Sequence, residues 1–222
     1  MGVQALNISE KKLTLYAVTD RKWLQEGQTL AQQVEQAILG GVTVVQLREK
    51  HTDYETFVAL AKEVKQVTDQ YQVPLLINDN LDVALAVDAA GVHVGQEDMA
   101  ALEVRRRIGD KKVVGVSAQT VEQALAAEKA GADYLGVGAV FPTNSKDDAV
   151  KVDFATLRAI CQAVQIPVVA IGGITADNMP ALQNSGIIGV AVISAIFGQP
   201  DVRVAAEQLA ARWQDMREAE GK

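Results

Sequence analysis

The feature that most constrains the fold of this chain is a strand-like segment followed by a helix-like segment, repeated eight times. The strand-like segments are short runs of Val, Ile and Leu with little apolar–polar alternation. Such runs are typical of strands that are covered on both faces, as in parallel sheets. The predicted strands are 13–20, 42–49, 73–78, 91–96, 112–116, 134–140, 167–171 and 189–193.

The segments between these strands have apolar residues at helical spacing. The predicted helices are 28–39, 54–71, 81–89, 100–108, 121–130, 154–164, 177–184 and 202–216. Eight right-handed strand–helix units in 222 residues favour an α/β fold of the (β/α)8 TIM-barrel type. A doubly wound open sheet is the alternative, but it usually carries Gly-x-Gly-x-x-Gly after the first strand, and residues 20–27 lack this motif.

The sequence contains no linker and no break in composition. We therefore expect a single barrel domain over residues 1–222, in which residues 1–12 form a loose or covering N-terminal segment. The single Cys161 cannot form an internal disulfide, and its helical, apolar context predicts a buried and inert thiol.

Charge and hydropathy narrow the choice of partners. A net charge of −7 and a pI near 4.9 disfavour nucleic acid and anionic membranes, which both bind basic surfaces. No apolar run reaches the roughly 18 residues of a membrane span, and the N-terminus lacks a basic segment followed by an apolar one. We expect a cytoplasmic protein that acts on small molecules. The sequence leaves open whether it forms a homo-oligomer.

The end of the second predicted strand carries three polar side chains on one face. Gln46, Arg48 and Lys50 are two residues apart, and alternate residues of a strand point the same way. A guanidinium fork and a compact ammonium together can hold a polyanion such as a diphosphate. The alternative is a solvated strand end that carries scattered charges.

Other strand ends are polar as well, whereas the amino ends are mostly Gly, Pro and apolar residues. The active sites of such barrels lie at the carboxyl ends of the strands. We therefore predict that one rim of the barrel forms a site. In addition to the three residues of the second strand, the candidates for this site are Asp20, Asn78, Asp79, Gln96, Asp98, Ser117, Thr143, Ser145, Lys146, Gly172, Gly173 and Ser194.

Asp79 and Asp98 follow successive strands, so their carboxylates should be neighbours. Two close carboxylates repel unless one is protonated or a cation lies between them. Because no Cys/His cluster is present, the expected cation is Mg²⁺, which takes one or two carboxylates and completes its shell with water and phosphates. Alternatively, Asp79 forms a turn and Asp98 caps a helix.

Two further stretches suit phosphate binding. Gly172, Gly173 and Ser194 follow the seventh and eighth strands, where backbone N–H groups often hold phosphate in barrels, although a simple tight turn would look the same. The loop after the sixth strand offers Thr143, Ser145 and Lys146, and it could also be a solvated loop. The spacing suggests two anionic subsites.

Neither histidine suggests a base. His51 is expected on a surface loop and His93 in the barrel core. No Ser–His–Asp set competes with the anion-binding interpretation.

With these residues assembled, the chain closely resembles the thiamine-phosphate synthase family, also called thiamine-phosphate pyrophosphorylase, over about residues 13–197. Any one motif is weak, but the ordered set is specific. The motifs are Gln46-Leu47-Arg48-Glu49-Lys50, Asn78-Asp79, His93-Val94-Gly95-Gln96-Glu97-Asp98, Gly115-Val116-Ser117, Phe141-Pro142-Thr143 with Lys146, Gly172-Gly173-Ile174 and Ile193-Ser194-Ala195-Ile196.

The resemblance implies condensation of 4-amino-5-hydroxymethyl-2-methylpyrimidine diphosphate with a thiazole phosphate, carboxylated or not, to give thiamine phosphate and pyrophosphate. It further implies Mg²⁺ on Asp79 and Asp98, and roles in the chemistry for Arg48, Lys50, Ser117 and Lys146. The implied substrate-binding residues are Gln46, Leu47, Arg48, Glu49, Lys50, Asn78, Ser117, Thr143, Asn144, Ser145, Lys146, Gly173, Ile193 and Ser194.

Three residues depart from the family pattern. Gln119 stands where His is common, Ser145 where Thr is usual, and Ala139 where Pro is usual. Two alternative functions follow from related barrels: a thiazole tautomerase-like enzyme, which the missing His and the intact aspartate pair disfavour, and a non-catalytic barrel that binds phosphates or thiamine precursors.

Overall fold

The computed structural model describes residues 8–24, 26–96, 99–143 and 151–221, and its strands form a closed parallel barrel. Each strand pairs with the next, and β8 closes on β1. This arrangement confirms the predicted (β/α)8 TIM barrel. The strands are β1 Leu15–Val18, β2 Val44–Leu47, β3 Leu75–Asn78, β4 Gly91–Val94, β5 Val113–Ala118, β6 Tyr134–Val137, β7 Val168–Ile171 and β8 Gly189–Val192.

The helices lie between these strands, mostly within a few residues of the predicted bounds. Six of them begin at a side chain that accepts a backbone N–H of the first turn, so the caps define where the helices start. The helices are α1 Leu30–Leu39, α2 Tyr54–Gln70, α3 Leu81–Ala86, α4 Ala101–Ile108, α5 Val121–Lys129, α6 Phe154–Ala163, α7 Ser194–Phe197 and α8 Val202–Ala219.

The structure differs from the sequence-based prediction after β7 and β8. The predicted helix 177–184 is wrong, because only a 3-10 turn, Met179–Leu182, forms there. Pro180 lies inside this turn and lacks the N–H that a longer helix would need. Directly after β8 the chain forms the short helix α7, which the sequence did not predict.

The apolar core has two layers. Outward-facing strand residues pack against the helices, and inward-facing ones fill the barrel interior. Ile8 from the N-terminal segment and Leu13, the next buried residue along the chain, are buried with this interior set, and a Cβ on Gly189 at the start of β8 would overlap the Leu13 carbonyl. The described part of the predicted covering segment therefore packs against the amino end of the barrel. Among the described helices, none combines the length and the apolar character needed to cross a bilayer.

Candidate active site

A cavity of about 440 Å³ opens at the carboxyl ends of the strands and gathers residues from all of them. Most rim residues predicted from the sequence line this single cavity. They are Gln46, Arg48, Lys50, Asn78, Asp79, Gln96, Ser117, Thr143, Gly172, Gly173, Ile193 and Ser194. The predicted residues Asp98, Asn144, Ser145 and Lys146 lie outside the described residues.

The end of β2 divides its side chains between two faces. Gln46, Arg48 and Lys50 line the cavity, whereas Leu47 and Glu49 do not. Leu47 is fully buried in the apolar layer outside the barrel, and the Glu49 carboxylate binds Arg21, with 2.7 Å between Oε2 and Nε. The side chains of Leu47 and Glu49 therefore point away from the cavity, because alternate strand residues face opposite sides. Their part in substrate binding stays a prediction.

Arg48 is fixed by the loop that follows β1. Its backbone N–H donates to Thr19 Oγ1 at 3.0 Å, and its guanidinium Nη1 lies 3.8 Å from Asp20 Oδ2. Asp20 also accepts the backbone N–H of Lys22 and so caps the 3-10 turn Arg21–Trp23. The predicted rim residue Asp20 thus lies behind Arg48, and it does not line the cavity itself.

Asp79 follows β3 in a left-handed backbone conformation, with φ 62°. A non-glycine residue at positive φ costs of order 1 kcal/mol, and such residues cluster at functional sites. The backbone N–H of Asp79 donates to the carbonyl of His93 at 2.8 Å, which holds the turn in place. The Asp79 carboxylate lines the cavity and accepts a hydrogen bond from Lys50 Nζ at 2.8 Å.

The described donors suit a hard cation. Asp79 and Asn78 bring oxygen ligands to the cavity, and within the described part of the chain no three His, Cys, Asp or Glu side chains form a cluster. Mg²⁺ needs only one or two carboxylates when phosphates and water complete its shell. Asp79 therefore fits the first half of the predicted magnesium pair, and Asp98 is not described.

Ser117 occupies the wall of the cavity at the end of β5. Its Oγ lies 3.0 Å from Nε2 of His93, and its carbonyl accepts a hydrogen bond from Gln96 Nε2 at 2.6 Å. Gln119, which stands where the family commonly has His, lines the same cavity two residues further on. A carboxamide at this place can bind a polar group but cannot transfer a proton as an imidazole does.

Glycines shape the opposite side of the cavity. Gly172 and Gly173 have φ values of 103° and 62°, which glycine adopts without strain. A Cβ on Gly172 would lie 2.5 Å from that of Ala139, and one on Gly173 would overlap the carbonyl of Pro142. Only glycines therefore let this turn pass so close to the loop after β6, and they leave backbone at the cavity surface.

The sequence did not single out Tyr16 and Tyr134, which form the floor of the cavity together with His93. Both tyrosines are buried inside the barrel, and burial raises the pKa of each well above its ordinary value. The sequence did contain a signal for Tyr134. A large side chain that points into the barrel needs a small residue on the neighbouring strand, and Gly115 of β5 lies beside Tyr134 of β6.

Of the other histidine and the cysteine, His51 and Cys161, neither lines the cavity. His51 lies on an exposed loop, as predicted, and His93 is buried in the barrel. Cys161 is half-buried on α6, and burial raises the pKa of its thiol to about 11. The raised pKa favours the protonated, less reactive thiol, in line with the expected inert cysteine, although the side chain is less buried than predicted.

Fold and site together define a (β/α)8 barrel with its polar cavity at the carboxyl ends of the strands, where the enzymes of this fold have their active sites. The sequence model of the family described as thiamine monophosphate synthase matches residues 15–196. The chain belongs to this family.

Similar proteins agree with this assignment. The chain is 54% identical over 196 residues to a thiamine-phosphate synthase of Clostridium tetani, covering 88% of this chain and 93% of that one. It is 55% identical over 196 residues, with the same coverage, to a thiamine-phosphate synthase of Ruminiclostridium cellulolyticum. The solved structure of a thiamine phosphate pyrophosphorylase from Pyrococcus furiosus superposes with a TM-score of 0.85 at 42% identity, covering 93% of this chain and 98% of that one.

Proposed function

We propose that this chain joins a pyrimidinylmethyl diphosphate to a thiazole phosphate, giving thiamine phosphate and pyrophosphate. The observation that carries this proposal is that Arg48, Lys50 and Asp79 share one cavity with Gly173 and Ser194. A cationic end and a glycine-rich end in one cavity suit two phosphorylated substrates that must meet.

The diphosphate is held at the ends of β2 and β3. Arg48 can present two parallel N–H donors to phosphate oxygens, and Lys50 adds a point charge beside them. Gln46 and Asn78 line the same side and supply amide groups for the pyrimidine ring. Ser117 lies on the adjacent wall.

The thiazole phosphate is held at the ends of β7 and β8. Backbone at Gly173 and at Ile193 and Ser194 lines this side of the cavity, and Thr143 adds a hydroxyl. Asn144, Ser145 and Lys146 stay sequence-based proposals for the same substrates, since they lie outside the described residues.

The reaction needs charge stabilisation and alignment, and it needs no nucleophilic side chain. The bond between the pyrimidinylmethyl carbon and the diphosphate oxygen breaks, and both electrons leave with the diphosphate. The thiazole nitrogen then gives its lone pair to the carbon and forms the new C–N bond. Arg48 and Lys50 stabilise the negative charge that develops on the leaving group. Binding of both substrates in one cavity replaces an encounter in solution by an oriented contact.

Asp79, with Asp98 as its sequence-based partner, would hold Mg²⁺ next to Lys50. When bound, the ion supplies Lewis-acid stabilisation of the departing diphosphate. Lys50, whose ammonium donates to the Asp79 carboxylate at 2.8 Å, would add a positive charge beside this site.

The proposed substrates also suggest where the protein works. We propose that the protein works in the cytoplasm on small phosphorylated molecules, without nucleic acid or membrane partners. The net charge of −7 supports this setting, since polyanions and anionic membranes are repelled by such a surface.

The test is to mix the purified chain with both substrates and Mg²⁺, then to measure thiamine phosphate and pyrophosphate in the presence and absence of a chelator. Equal amounts of the two products, abolished by the chelator, are expected. Binding of both phosphates without product would identify a non-catalytic barrel. Isomerisation of a thiazole substrate without condensation would identify a tautomerase-like enzyme instead.

A further inference from the structure

A chain of four hydrogen bonds crosses the barrel interior directly below the cavity. Gln46 Nε2 lies 2.6 Å from Tyr16 Oη, which lies 2.8 Å from Tyr134 Oη. Tyr134 Oη lies 2.8 Å from His93 Nδ1, and His93 Nε2 lies 3.0 Å from Ser117 Oγ. Five strands thus contribute one side chain each, and both ends of the chain line the cavity.

The donors and acceptors along this chain can be placed in order. A carboxamide nitrogen only donates, so Tyr16 Oη accepts from Gln46. Either phenol can donate in the next bond, and the order that continues from Gln46 has Tyr16 give its proton to Tyr134. Tyr134 in turn gives its proton to Nδ1 of His93. A neutral imidazole that accepts at Nδ1 carries its proton on Nε2, and this proton is donated to Ser117 Oγ. The hydroxyl proton of Ser117 is then left to point into the cavity.

The strands around this chain are shaped to admit it. A Cβ on Gly115 would overlap the ring of Tyr134, and one on Gly136 would lie 3.0 Å from Cε1 of His93. The ring centroids of Tyr134 and His93 are 5.5 Å apart, and those of Tyr134 and Tyr16 are 6.0 Å apart. Packing therefore holds the rings in register, and burial keeps both phenols protonated by raising the pKa of each.

We propose that Tyr16 and Tyr134 are positioning residues that hold His93 in its Nε2-protonated tautomer. His93, the third positioning residue, then donates to Ser117 Oγ and thereby makes the Ser117 hydroxyl a hydrogen-bond donor toward the leaving diphosphate. The inference rests on the proposed function for the identity of that ligand. The tautomer itself follows from the direction of the hydrogen bonds, which the Gln46 amide sets by pointing its Nε2 at Tyr16. If the Gln46 carboxamide instead turned its oxygen toward Tyr16, every hydrogen bond of the series would reverse. His93 would then be protonated on Nδ1, and Ser117 would donate to Nε2 and could only accept from the ligand.

The tautomer can be measured without turnover. The chain has only two histidines, so ¹⁵N-histidine labelling gives two sets of ring-nitrogen signals, and a His51→Gln variant assigns the one from the exposed loop. Near neutral pH, His93 should show a protonated Nε2 and an unprotonated Nδ1. A protonated Nδ1 in the unmodified protein would overturn the proposal, whatever the activity of the enzyme.

The Tyr134→Phe variant tests the link to Ser117. It removes one oxygen, so His93 should sample both tautomers, and kcat should fall about tenfold with little change in KM for either substrate. Because the effect acts through Ser117, Tyr134→Phe should cost nothing further in a Ser117→Ala background. Tyr71→Phe is the matched control: it removes a part-buried phenol that donates to Glu35 at 2.8 Å outside the cavity, and it should leave kcat and the His93 tautomer unchanged.

Two results would contradict the proposal in this second experiment. One is an unchanged kcat in Tyr134→Phe, and the other is a full tenfold loss that persists in the Ser117→Ala background. If Tyr134→Phe does not fold, the tautomer measured in the unmodified protein still decides the question. If the protein makes no thiamine phosphate but shows the Nε2-protonated tautomer, the proposed function is wrong and the proposed order of the internal hydrogen bonds is still supported.

Discussion

The ammonium of Lys50 lies 2.8 Å from the carboxylate of Asp79, so an ion pair joins the ends of the second and third strands at the rim of the cavity. The side chains of the pair are 46% and 26% exposed, and exposed pairs contribute about 0–1 kcal/mol to stability. Breaking this pair when a charged ligand binds therefore costs little free energy. Its value lies in keeping a cation and a carboxylate together where a diphosphate and its counter-ion would bind.

The Asp79→Asn variant should weaken the use of Mg²⁺. The substitution removes a charged oxygen ligand and leaves Lys50 without its carboxylate, so the Mg²⁺ concentration for half-maximal rate should rise at least ~10-fold. Turnover measured against Mg²⁺ concentration checks this. Asp82→Asn, three residues away on an exposed face of α3, is the control and should behave like the unmodified protein. An unchanged Mg²⁺ profile in Asp79→Asn would remove Asp79 from the metal site.

The Arg48→Lys variant separates geometry from charge. It keeps the positive charge but loses the planar fork that binds two phosphate oxygens, so kcat should fall about 10- to 100-fold. Steady-state kinetics with both substrates give the value. Arg203→Lys makes the same change in an exposed pair on α8 and should have no effect. Equal activity in the two variants would mean that Arg48 acts only as a charge.

The Gly173→Ala variant should raise KM for the thiazole phosphate about tenfold, equivalent to ~1.4 kcal/mol, with a smaller effect on the pyrimidine diphosphate. The added Cβ would overlap the Pro142 carbonyl and displace the backbone that lines this end of the cavity. Gly109→Ala is the matched control, because Gly109 also has positive φ, 77°, but nothing lies within 4 Å of its Cβ position. If both variants keep the normal KM, the phosphate does not bind at this turn.

The Glu49→Gln variant should change how stability depends on pH. Burial raises the pKa of Glu49 above its ordinary value of 4.5, so the folded state holds more protons than the unfolded state above that pH. The free energy of unfolding contributed by Glu49 therefore falls as pH rises from about 4.5 through the raised pKa. Glu49→Gln cannot lose this proton, so it should gain Tm relative to the unmodified protein over the same pH range.

A stability difference of about 1 kcal/mol corresponds to roughly 2–4 °C in Tm for a domain of this size. Thermal unfolding of both proteins at several pH values gives the comparison. Glu207→Gln, which opens an exposed pair with Arg203, serves as the control. Parallel Tm curves for Glu49→Gln and the unmodified protein would show that Arg21 offsets the cost of burying the carboxylate.

The barrel and most of its rim could be predicted from the sequence, because both depend on local patterns. Apolar runs identified the strands, and polar residues at their carboxyl ends identified the site. The prediction failed for the helix 177–184, where Pro180 limits the chain to a 3-10 turn. The side chains of Leu47 and Glu49 face away from the cavity, and their part in substrate binding stays a prediction.

The interior hydrogen-bond chain could not be predicted, because its members come from five strands that are far apart in sequence. Tyr16 and Tyr134 are separated by 118 residues, and only the closure of the barrel brings their hydroxyls together. His93 was correctly expected in the core, but its partners depend on the register between strands. That register is set by the whole barrel, and no local motif encodes it.

The most direct test of the account is a crystal structure of the protein with thiamine phosphate, pyrophosphate and Mg²⁺. The account predicts pyrophosphate in contact with Arg48 and Lys50, the ion on Asp79, and the phosphate of thiamine phosphate against Gly173 and Ser194. Pyrophosphate bound at another place, or the two products in separate cavities, would contradict it.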